Sequence, residues 1–167
     1  MHLPRIGVVC LVTLLLLSWD RIPQAESSDP SAIQVSSRHF FFKFHKQDQF
    51  YMDRIIGRAE ALYGEVTRDI GFVPTEPIGV IMAFTEEEFN QFQPEGAGLP
   101  QWAVGVAYPE LSLMVIRSPR LIAGSLANPL ETFTHELSHL VLGKQFEEHP
   151  IPRWLNEGLA MYEAYEW

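Results

Sequence analysis

Residues 128–143, NPLETFTHELSHLVLG, constrain the fold more than any other stretch, because almost every position argues for one amphipathic helix. Asn128 is a capping residue, Pro129 suits the first helical position and Glu131 completes a capping box. Gly143 reads as the C-terminal stop. Leu130, Phe133, Leu137, Leu140 and Val141 form one apolar stripe, which must be buried against another layer. At about 100° per residue, His135 and His139 lie roughly 40° apart, nearly opposite that stripe. Two imidazoles so placed can grip one ion from a single turn. Glu136 projects about 100° from His135, near enough to reach a group held by the histidines without ligating the ion itself. The plain alternative is the wet side of an ordinary surface helix.

A third ligand decides between these readings. In PRWLNEGLAMYEAYEW, residues 152–167, Glu157 follows His139 by 157 − 139 = 18 positions. On a helix it shares a face with Trp154, Gly158 and Met161, an apolar stripe in which an unpaired carboxylate is costly. An ion between His135, His139 and Glu157 removes that cost. Two histidines, one glutamate and an open position make a familiar catalytic zinc set.

The rest of the chain supplies a scaffold. Residues 39–44, HFFFKF, 78–84, IGVIMAF, and 111–116, LSLMVI, read as strands. A long helix spans 48–69 and stops at Gly71; Thr85 with Glu88 forms a capping box for a short helix. Residues 93–100 are a Gly/Pro loop. Strands mixed with mostly late helices predict an α+β domain with a small sheet. His39, His45 and His149 are scattered and carry no motif.

Ahead of the domain, Arg5 and the apolar run 6–19 predict a signal peptide over 1–25, with a polar linker over 26–37 and the domain over 38–167. At 14 residues the run is short for a bilayer span, so an uncleaved N-terminal segment is the one route to a membrane. The only cysteine, Cys10, falls inside that run, so an exported mature chain has no disulfide. Secretion or a periplasmic location follows as the expectation. A net charge of −9 with no basic run excludes nucleic acid as a main partner.

HELSH followed by WLNEGLAMY resembles the gluzincin metallopeptidases, in particular the bacterial peptidase MA-like domains, whose better-known relatives are thermolysin and aminopeptidase N. The likeness is strongest over 128–163 and extends loosely back to the strand at His39. It implies a zincin-like fold: a small mixed sheet, an edge strand over the HExxH helix and a following glutamate helix. It implies zinc ligation by His135, His139 and Glu157, with Glu136 as general base. GVAYP (residues 105–109) and LSLMVI would fall where such enzymes place the edge strand above the metal. A peptide or protein substrate would then pair along LSLMVI and meet Leu113, Val115 and Tyr108. Many gluzincins carry an oxyanion-stabilising Tyr or His well downstream of the glutamate helix, and this chain stops at Trp167, so it reads as incomplete at the C-terminus. Tyr108 and Tyr162 are the substitutes within reach of the motif. The rival class is a non-catalytic binding module in which zinc staples two helices; a staple has no use for Glu136.

Overall fold

The computed structural model describes residues 31–93, 103–122, 128–146 and 149–166. The signal peptide, residues 94–100 of the Gly/Pro loop and residues 26–30 of the polar lead-in therefore lie outside the described residues. Among the described residues no helix is long and apolar enough to cross a membrane.

Strand β1 (Ala32–Ser36) leads into β2 (Phe40–His45), helix α1 (Gln49–Ile70) and strand β3 (Ile78–Ala83). Then come α2 (Glu86–Gln91), β4 (Gly105–Tyr108), β5 (Leu113–Arg117), α3 (Pro129–Gln145) and α4 (Arg153–Glu163). The sheet order is β1-β2-β3-β5-β4. β2, β3 and β5 run parallel, and β1 and β4 pair antiparallel at the two edges. The architecture is α+β with a small mixed sheet, as expected. Strand β3 is buried at every position, which suits a continuous apolar run in the sheet centre.

Strand alternation splits the core in two. Phe40, Phe42, Ile78, Val80, Met114 and Ile116 pack with α1 and α3 on one face. Ile81, Ala83, Tyr108, Leu113 and Val115 pack with Phe89 of α2 on the other. Local signals set the helix ends well: Gly71 ends α1 at φ 78, and Thr85 accepts from the Glu88 N–H. Glu88 reaches back one residue further than a standard capping box, to the Phe84 N–H at 2.8 Å. Asn128 accepts from the Leu130 N–H at 3.1 Å and donates to Glu131 at 2.9 Å.

Four expectations need correction. The linker over 26–37 contains β1: Ile33 and Val35 pack on the main core while Gln34 and Ser36 face out. That alternation is too short to stand out among serines, and pairing with β2 completes it. The strand over 111–116 starts only at Leu113, because Leu111 belongs to a tight turn and Ser112 adopts a left-handed φ of 49. Nor is β5 an edge: it lies between β3 and β4, and β4 carries the free side. Finally, Gly143 does not end α3, which runs two residues further to Gln145. A side chain at 143 would overlap the Pro109 ring, so this glycine serves close packing of the β4–β5 turn on the helix.

Candidate metal centre

The apolar stripe of α3 turns Phe133, Leu137, Leu140 and Val141 into the core, which leaves His135 and His139 facing α4. Their rings stand edge to face, 4.7 Å between centroids. Each Nε2 lies 3.8 Å from Glu157 Oε2 on α4. One ligand atom from each of His135, His139 and Glu157 falls within 4.8 Å of the others. The structure thus brings together all three residues that the sequence proposed as ligands.

The opposite edge of each ring is already committed. His139 Nδ1 is 2.8 Å from Asn156 Oδ1, and His135 Nδ1 is 3.1 Å from Glu166 Oε2. Both partners offer acceptor oxygens, so the tautomer with its proton on Nδ1 satisfies them and leaves Nε2 on the side of Glu157. Imidazoles that hold a metal are oriented in this way. Burial pulls the His139 pKa down, opposed by its bond to Asn156. A neutral ring is the ligating form. The donor set, two such nitrogens and one carboxylate oxygen, therefore fits a zinc ion.

Glu136 sits beside this set, only 7% exposed. Burial pushes its carboxyl up to about 8, and the charges of Glu157 and Glu166 push the same way. Its cover is the backbone of β4: a Cβ at Gly105 would come within 2.8 Å of Glu136 Cγ and Oε1. Glycine here allows an edge strand to lie directly over a carboxylate. The expected arrangement, an edge strand over the HExxH helix, is present, and its strand is GVAY.

Other expected contacts are not brought to the centre. Leu113 and Val115 are 2% and 0% exposed and pack toward α2, on the sheet face away from α3. Tyr108 belongs to the same cluster. The period-two pleat explains all three: Gly105 and Ala107 face α3, so Tyr108 faces away, and its register partner Leu113 goes with it. Tyr162 lines a pocket toward α1. The reason given for Glu157 also fails, although its position holds. Trp154 and Met161 are 76% and 42% exposed, and Ala160 and Glu163 are the buried positions of α4. Glu157 is thus not a carboxylate sunk in an apolar stripe.

Gly105, Asn156 and Glu166 went unnoticed in the sequence. Asn156 had one available signal, since it immediately precedes Glu157 in WLNEG; the other two act through tertiary proximity alone. A family model described as the Peptidase MA superfamily matches residues 60–165, while no curated protein and no solved structure matches the chain.

Proposed function

Because the chain belongs to the Peptidase MA superfamily, we propose that it is a zinc-dependent peptidase of the gluzincin kind, with His135, His139 and Glu157 as ligands and Glu136 as general base. The observation that carries this reading is the joint geometry: two Nε2 atoms converge on one carboxylate oxygen at 3.8 Å while Asn156 and Glu166 fix the rings from behind. When bound, zinc supplies a Lewis acid that polarises a carbonyl and acidifies water.

The remaining work falls to the chain itself. Glu136 accepts a proton from the attacking water at its carboxylate and passes it to the leaving amine nitrogen. Its burial raises its basicity toward the working range, and positive charge held at Glu157 would offset the two carboxylates that add to the rise. Gly105 excludes water from one side of that carboxylate. An extended peptide pairs with the free side of β4, in place of the β5 docking expected from sequence. We place the protein outside the cytoplasm on the strength of residues 1–25; N-terminal sequencing should find a mature chain starting near Glu26, and an intact Met1 on membrane-bound material would refute it.

Glu136→Gln tests the mechanism. The variant should keep its zinc and its fold, and lose peptide hydrolysis by about 10²–10⁴-fold, roughly 3–5 kcal/mol of barrier. Undiminished cleavage removes Glu136 as the base. The zinc-staple alternative predicts no chelator-sensitive cleavage of a mixed peptide library even by the wild type.

A further inference from the structure

A second site lies on the other side of α4. A pocket of about 350 Å³ opens between α1 and α4 over Thr134 of α3. Glu65 and Asp69 line it from α1, Tyr162 and Glu163 from α4, and Tyr165 from the turn just beyond α4. Glu163 is 7% exposed, and its Oε1 is buried with no hydrogen-bond partner among the described residues. A buried carboxylate oxygen without a donor is costly unless a ligand satisfies it.

The character of that ligand follows from charge and spacing. Three carboxylates face the pocket against one guanidinium, Arg68, which is spent on Asp69 at 2.9 Å and is largely solvated. Yet the carboxylates do not meet the spacing of a metal cluster, which among the described residues is met only by His135, His139 and Glu157. An inorganic cation needs its oxygens at about 2.0–2.6 Å. A longer organic cation does not, and the volume falls at the low end of ligand pockets, about 300–1,000 Å³. Tyr162 and Tyr165, 60% and 73% exposed, stand at the pocket as aromatic faces for such a cation.

We infer that this pocket binds an organic cation, a guanidinium or ammonium group, with Glu163 as its anchor and Tyr162 and Tyr165 as its walls. Burial, then the charge of Asp69, raise the Glu163 pKa, and a cation against Oε1 would offset both. The same chemistry has two sources, a free small amine or a basic side chain of a polypeptide.

Titration calorimetry on the full chain distinguishes them, using N-acetyl-arginine amide, the matching citrulline amide and an alanine peptide with one central arginine. The arginine amide should bind and the citrulline amide should not. Glu163→Gln should weaken binding by about tenfold or more. Tyr165→Ala, at an exposed position that leaves the fold intact, should weaken it about two- to tenfold. Glu136→Gln, which leaves the ligand set and the docking of α4 untouched, should bind like the wild type, which separates this pocket from the peptidase chemistry whatever the fate of that reading. A small cation as native ligand predicts equal affinity for amide and peptide; a basic polypeptide residue predicts a clear gain for the peptide. No binding of the arginine amide, equal binding of citrulline, or binding unchanged in both Glu163→Gln and Tyr165→Ala would overturn the inference.

Discussion

Histidine meets glutamate in two places in this molecule, with opposite results. At the start of β2, His39 Nδ1 lies 2.6 Å from Glu60 Oε2. Glu60 Oε1 accepts the Ser37 hydroxyl at 2.6 Å and the His39 backbone N–H at 2.9 Å. The ring stacks on Tyr63 at 4.1 Å. Here the carboxylate is saturated by donors and the assembly ties the β1–β2 turn to α1. At α3, the hydrogen bonds go to the rear of the rings and the front nitrogens share one oxygen at 3.8 Å, beyond hydrogen-bond reach. Proximity of His and Glu does not distinguish a structural pair from a candidate metal centre, since His39 and His135 both turn Nδ1 to a carboxylate. The convergence of two remaining Nε2 atoms on a further carboxylate oxygen, seen only at α3 among the described residues, does.

The largest test of that contrast is a paired substitution. His139→Ala should reduce bound zinc from about one equivalent to a small fraction and abolish chelator-sensitive hydrolysis, while His39→Ala should leave both intact. Metal analysis after dialysis checks it, and zinc loss in the His39 variant would break the comparison. Next in size is Gly105→Ala. The new Cβ meets Glu136 at 2.8 Å, so the carboxylate must shift, and activity should fall about 10²-fold with metal content unchanged. Asn156→Ala frees the rear of the His139 ring and should weaken zinc binding about 10–100-fold in a chelator competition.

The smallest effect belongs to the saturated pair. Hydrogen bonds from Ser37 and His39 hold the Glu60 pKa below its ordinary 4.5, against the opposing effect of burial. A lowered pKa stabilises the fold fully above the unfolded value near 4.5 and loses that contribution as pH falls through the folded value. Glu60→Gln should therefore cost about 1 kcal/mol at pH 7, discounted for its partial exposure, and progressively less below pH 4.5 in thermal melts. A gap that persists at low pH would mean that Glu60 acts by packing rather than charge.

The sequence revealed what is written in local periodicity. His135, Glu136 and His139 follow from one helix, and Glu157 from its distance to them, although the apolar burial used to justify it does not exist. What it hid depends on pairing across the chain. Which of β4 and β5 forms the edge is decided by hydrogen bonding to β3, and neither strand's own residues state it. Gly105 reads only as the first residue of the GVAYP segment and Gly143 as a helix stop, yet both are places where one backbone approaches another element. β1 was missed because its two inward residues acquire meaning only beside β2.

Helix α4 has a narrow footing, with Ala160 and Glu163 buried along its length and Ala164 just beyond. Such a helix belongs to the part of a protein that opens locally at low free-energy cost. Yet it supplies Glu157 and Asn156, and the short segment that follows it supplies Glu166: one candidate ligand and both groups behind the α3 imidazoles. With the proposed ligand set, ion capture and helix docking would therefore form a single linked equilibrium. The apparent affinity is the intrinsic affinity scaled by the docked fraction, and the ion in turn raises that fraction. Release is cooperative in the same sense: when α4 lifts, the centre loses its oxygen donor and the alignment of its nitrogens in one step.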